Sequence, residues 1–171
     1  NTLTEYGLIS KLLHWLSAIL LLVQIPLGFY LVNLDFGTER LNFENIHVVI
    51  GLSIFYLVIL RLLIKIINPT PKLDPSIFKG QKFLAKLNHI LLYVTILSIT
   101  ISGILKKLFN GETLIIIFRK IKIQDNFELA ELFNEIHIFS NYLMIILITI
   151  HIIAVIIHKF FFNDNLLKKI I

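Results

Sequence analysis

Cysteine is absent from the 171-residue chain. Its absence removes disulfides, thiolate metal sites, iron–sulfur clusters and thiol catalysis together. Charge is scarce as well: Asp, Glu, Lys and Arg make up 16% of the residues, where a soluble domain carries about 25%. Hydrophobic residues reach 57% and the mean hydropathy is +0.85, a balance that fits neither a water-soluble fold nor a solvated disordered chain. The net charge of +5 and pI of about 9.5 do not point to nucleic acid, because the basic residues flank apolar stretches. Internal repeats and low-complexity linkers are also missing, so the chain reads as one membrane domain over residues 1–171.

What remains is four long apolar runs, each bounded by charges. They cover residues 12–34, 45–64, 87–105 and 136–158, and the only formal charge inside them is Arg61. A hydrocarbon core of roughly 30 Å needs about 20 helical residues, so each run is long enough to cross. Backbone groups in lipid must be paired within the segment, and strands able to form a barrel are absent. The expected fold class is therefore all-α, an integral membrane four-helix bundle. The first run is too long for a signal peptide and lacks a small-residue cleavage site after it.

Loop charges predict the direction of the spans. The N-terminus, the 61–86 connection and the C-terminal tail carry ten Lys or Arg against Glu5, Asp74 and Asp164. The 35–44 and 106–135 loops hold six basic and eight acidic residues. The positive-inside rule then puts both termini in the cytoplasm. Asn68-Pro69-Thr70-Pro71 is expected to end the second helix, since proline disfavours helix in the residue before it. Within the long 106–135 loop, the apolar residues 113–118 followed by Arg119, Lys120 and Lys122 predict a segment lying along the outer interface. An amphipathic stretch at 126–132 leads into the fourth helix.

All six histidines fall inside the runs: His14, His47, His89, His137, His151 and His158. Polar residues are selected against there, so a set of six suggests function. His137 and His151 are fourteen residues apart, sharing one helix face about 21 Å apart. His47 and His137 each lie near the outer end of their run, whereas His14 lies near the inner end of its own. Two neutral imidazoles facing one another suit a transition metal, and haem iron takes axial histidine. Zinc would want four ligands at one level. Haem b would also account for the lack of Cys-x-x-Cys-His. Gly51, one turn after His47, and Gly28, fourteen residues after His14, would let backbone approach a flat macrocycle.

The sequence resembles the bacterial cytochrome b561 family of four-helix dihaem membrane proteins. The resemblance rests on Tyr6-Gly7 with His14-Trp15-Leu16, on Ile46-His47-Val48 with Gly51 and Arg61-Leu62-Leu63, and on Asn68-Pro69-Thr70-Pro71. It continues through His89 with Tyr93, His137 and His151, and His158 followed by Asp164-Asn165 and Leu167. It implies two haems b, each bis-histidine, and electron exchange with ubiquinone. Carried over, the ligands are His47 with His137 for the outer haem and His14 with His151 for the inner one. The outer pair also follows from depth; for the inner haem, depth alone leaves His151, His158 and His89 open.

Arg61 and Lys65 at the inner level, and Arg40, Lys106 and Lys107 at the outer, are candidate partners for haem propionates. A cytoplasmic-side quinone site is expected near His158, with His89 and Arg61. The resemblance implies one of two roles, since some members look like quinol-linked electron carriers and at least one subgroup oxidises superoxide on the outer side and passes the electron to ubiquinone. Expected partners are therefore membrane lipid, quinone, and superoxide or a periplasmic electron-transfer protein. Two other readings compete: a cytochrome b anchor subunit of a periplasmic dehydrogenase or hydrogenase, and a haem-free transporter relaying protons through its histidines.

Overall fold

The computed structural model describes residues 1–71, 78–161 and 170. Lys72, Asp74, Asp164, Lys168 and Lys169 of the charge argument, and the Asp164-Asn165 and Leu167 matches, lie outside the described residues. In chain order the elements are α1 (Leu8–Val32), α2 (Thr38–Ile67), α3 (Lys79–Phe109), β1 (Leu114–Ile116), β2 (Arg119–Ile121) and α4 (Phe127–Phe161). Among the described residues four helices are long and apolar enough to cross a membrane. α2, α3 and α4 contain their expected runs and extend beyond both ends, whereas α1 starts before its run at Leu8 and stops inside it at Val32. Interfacial charges do not stop a helix, because Lys and Arg stems can lie along apolar surface with their heads in water.

α3 packs most extensively on α4, then α1 on α2, with α2 against α3 joining the two pairs. The core is small, built on Ile54, Val58, Ile96 and Met144. Large apolar side chains such as Leu12, Leu22 and Val23 of α1 or Ile146 and Ile152 of α4 instead point outward. This inversion is what lipid as solvent requires: helices gain little by burying leucine from hydrocarbon, and associate through small and polar residues. Ser17, Thr100 and Ser102 are buried, their hydroxyls donating to the carbonyls of Leu13, Ile96 and Ser98 one turn back. Ser98 and Ser140 bond each other across α3 and α4 at 2.8 Å.

α1 runs unbroken through Pro26. α2 stops where the prolines require: Asn68 is extended (φ −117°, ψ 149°), and its side-chain Nδ2 donates to the Ile64 carbonyl at 3.0 Å. The α1–α2 turn is held by Arg40, which donates to the Leu34 carbonyl at 2.7 Å and lies 4.4 Å over the Phe36 ring.

The connection after α3 differs from a plain interfacial segment. Residues 114–121 form an antiparallel hairpin pairing Leu114 with Ile121 and Ile116 with Arg119. Its two-residue turn is Ile117-Phe118, both left-handed at φ 48° and 61°. Such turns favour Asn-Gly, so the sequence carries no signal for one here. Leu114 is buried, whereas the Phe118 side chain is fully exposed. The Ile117 amide, left unpaired by the turn, donates to the Tyr56 hydroxyl of α2 at 3.0 Å, tying the apolar tip to the bundle. The 126–132 stretch leads into α4 as expected: Asn126 precedes the helix, its Oδ1 accepting from the Leu129 amide at 3.1 Å, and residues 127–132 begin it. Tyr56→Phe is expected to remove that bond, worth about 1 kcal/mol. Hydrogen–deuterium exchange at Ile117 should then speed up roughly fivefold, with the helices unchanged.

Candidate functional site

The bundle brings the histidines together in two groups, one near each end. At the end bearing the hairpin, His47 of α2 faces His137 of α4 with ring centres 6.2 Å apart and planes at 69°. The His137 Nδ1 lies 2.8 Å from the Ile99 carbonyl. A carbonyl only accepts, so Nδ1 carries the proton and Nε2 keeps a lone pair. The His47 Nδ1 is buried without a partner.

Each ring lies against a glycine of a neighbouring helix. A Cβ at Gly28 would come within 3.3 Å of the His47 Cε1, and one at Gly103 within 3.1 Å of the His137 Cε1. Gly28 therefore does face the site. Gly51 makes room for something else: a Cβ there would sit 3.3 Å from the Nε2 of Gln24. Gly103 and Gln24 were not singled out from sequence. Gln24 did leave a signal, as a polar side chain inside an apolar run; a lone glycine in α3 left none.

Lys106 and Lys107 at this end are engaged. Lys107 Nζ is 2.6 Å from the Glu44 carboxylate and also pairs with Glu112. Lys106 donates to Asn134 Oδ1 at 2.8 Å.

At the other end, His14 of α1, Arg61 of α2, His89 of α3 and His151 of α4 gather. The Arg61 guanidinium lies 3.1 Å from the His14 Nδ1. Guanidinium only donates, so Nδ1 accepts and the His14 proton resides on Nε2. His89 and His151 are in ring contact, centres 5.3 Å apart, and the His89 Nδ1 lies 2.8 Å from the Ala85 carbonyl. Of the predicted inner ligands, His151 thus meets His89 ring to ring, while His14 is joined to Arg61. Arg61 and Lys65 both lie over the Tyr93 ring, at 5.5 and 4.7 Å. Among the described residues neither has a carboxylate within ion-pair distance. His158 lies two turns beyond His151 on α4, half-buried.

The residues at the hairpin end fit an iron porphyrin. His47 and His137, with ring centres 6.2 Å apart and each ring against a glycine, would hold haem iron between them. Among the described residues no three His, Cys, Asp or Glu side chains converge to cage a metal. A family model for the prokaryotic cytochrome b561 proteins matches residues 5–171. The chain belongs to the prokaryotic cytochrome b561 family. Membership makes it a multi-pass bacterial membrane cytochrome and implies b-type haem. The chain is 27% identical to "Cytochrome b561 homolog 2" of Escherichia coli (strain K12), over 100% of its own length and 93% of that relative. It is 26% identical to "Probable superoxide oxidase CybB" of Yersinia pestis, over 96% of its own length and 94% of the other.

Proposed function

We propose that the protein is a dihaem electron carrier, taking single electrons at the hairpin end, facing the periplasm, and delivering them to ubiquinone at the cytoplasmic end. The observation that carries this reading is the His47–His137 pair, with the His137 tautomer set for ligation by its bond to Ile99. Bound haem supplies reversible one-electron chemistry between ferric and ferrous iron. Two histidines per iron leave no position for a substrate, so the chain's task is to hold, insulate and tune.

For the inner haem we propose His14 and His151. The fourteen-residue step from His137 to His151 supports it, with the family resemblance. Ligation through the His14 Nε2 requires its proton to move to Nδ1 and Arg61 to release that nitrogen. The freed guanidinium, with Lys65, can then receive propionates. The ring contact of His89 with His151 favours a second reading, His89 as the partner ligand.

The name of the Yersinia pestis relative supports superoxide as the donor. The balance is simple: two superoxide anions become two molecules of dioxygen, and the two electrons with two cytoplasmic protons convert ubiquinone to ubiquinol. Because Lys107 is neutralised by Glu44 and Glu112, it adds little electrostatic attraction for superoxide at the entrance. Mixing the oxidised protein with superoxide by pulse radiolysis tests the donor: rapid haem reduction with a shallow dependence on ionic strength is expected. Slow reduction would leave a quinol-linked carrier with another donor.

His158 is proposed to serve the quinone, with His89 and Arg61 as further members of that site. An imidazole is suited to the proton transfers. His158→Ala is expected to keep both haem spectra while slowing reduction by quinol about tenfold or more, measured by stopped-flow absorbance.

A further inference from the structure

We propose that Gln24 is the positioning residue of His47, gripping its backbone carbonyl with one end of the side-chain amide and taking its ring Nδ1–H, through one bridging water, with the other. The proposal rests on the reading that His47 is a haem ligand.

Gln24 is only 9% exposed, deep in an apolar helix, where a primary amide must be paired. Its Nε2 donates across the α1–α2 interface to the His47 carbonyl at 2.9 Å. That approach is possible because residue 51 of α2 is glycine; a Cβ there would meet the Gln24 Nε2 at 3.3 Å. Gln24 and Gly28 are one turn apart on the same face of α1, and Gly28 underlies the His47 ring. One stretch of α1 therefore holds both the backbone and the imidazole of this histidine.

Two buried polar atoms remain on these same two residues: the Gln24 Oε1 and the His47 Nδ1, neither with a partner. They are complementary. The amide oxygen is an acceptor lacking a proton, and an imidazole ligating through Nε2 has a proton on Nδ1 to donate. Among the described residues no hydrogen bond joins them, and a single bridging water would satisfy both. The opposite ligand needs no such device, since the Ile99 carbonyl already receives the His137 Nδ1. One outer ligand is thus oriented by backbone and the other by a side chain.

An acceptor on Nδ1–H increases the basicity of a ligating imidazole. Extra electron donation favours ferric over ferrous iron, so Gln24 holds the outer potential down. Redox titration of the detergent-solubilised, haem-loaded protein, following the two haems separately by absorbance and low-temperature electron paramagnetic resonance, tests this. Gln24→Leu removes both handles; Gln24→Glu gives up the donor to the His47 carbonyl and supplies a stronger, anionic acceptor. At the wild-type midpoint of the outer haem, Leu is expected to raise its reduced-to-oxidised ratio about tenfold, equivalent to about 59 mV for one electron. Glu should lower that ratio, and the inner haem should hold its midpoint in both. The g-anisotropy of the outer haem alone should change.

Equal shifts of both haems, or Leu and Glu shifting the outer one the same way, would mean a general structural effect and overturn the proposal. So would unchanged midpoints. If Leu does not assemble, the Glu variant decides by the sign of its shift. His47→Ala in parallel separates the two claims: retention of both haems defeats the ligand reading itself, whereas loss of one haem beside silent Gln24 variants defeats only the role of Gln24.

Discussion

Alanine at His47 or at His137 is expected to halve the haem content, from two per chain to one, leaving the other haem spectrally intact. The two rings are 6.2 Å apart on different helices, and no third histidine, cysteine or carboxylate joins them among the described residues. Removal of either therefore leaves one axial ligand and no substitute. Second-site support is expected to matter almost as much. A valine at Gly103 would drive its Cβ to about 3.1 Å from the His137 ring, against a ring already held by the Ile99 carbonyl. Gly103→Val should lower outer haem occupancy while Gly37→Ala, with nothing within 4 Å of the new Cβ, should not. Pyridine-haemochrome quantitation against protein mass measures both. Two haems per chain in His47→Ala or His137→Ala would reject the pair.

The second large effect is expected at the end opposite the hairpin, where His151→Ala should remove the inner haem whichever residue opposes it. The partner is then resolved by comparing His14→Ala with His89→Ala. If His14 ligates, its loss removes the haem and His89→Ala spares it. If His89 ligates, as its ring contact with His151 allows, the outcomes exchange. Arg61→Leu adds an independent readout. In the His14 reading this guanidinium leaves the His14 Nδ1 and, with Lys65, faces propionates, so its removal uncovers anionic charge at the inner haem and lowers that midpoint alone. An unchanged inner midpoint in Arg61→Leu would separate the guanidinium from the propionates.

Legibility from sequence divided along physical lines. The four helices could be read because each property that makes them is local: an apolar run of sufficient length with at most one charge, and a proline pair that stops α2 at Ile67. The His47–His137 pairing was legible for a related reason. Helical rise converts sequence distance from a span end into depth, and two histidines at one depth in a narrow bundle have few other places to go. The hairpin was not legible, since Ile117-Phe118 lacks the usual chemistry of its turn and depends on the Tyr56 hydroxyl, 61 residues away in the chain. Nor was the engagement of Lys107, because Glu44 lies on another helix.

The sequence by itself determined that the chain lives in lipid, crosses it as four helices and carries its histidines within them. Hydropathy and span length are properties of the chain summed along its own axis, independent of which helix packs on which. Rotation of each helix about that axis is a collective outcome, decided only when α3 packs on α4 and α1 on α2. Tertiary structure therefore decided that Gly28 and Gly103 lie against the two outer rings, and that Gly51 makes room for Gln24. It also decided that His151 meets His89 ring to ring while Arg61 reaches the His14 Nδ1. Depth is encoded one helix at a time; facing is encoded only between helices.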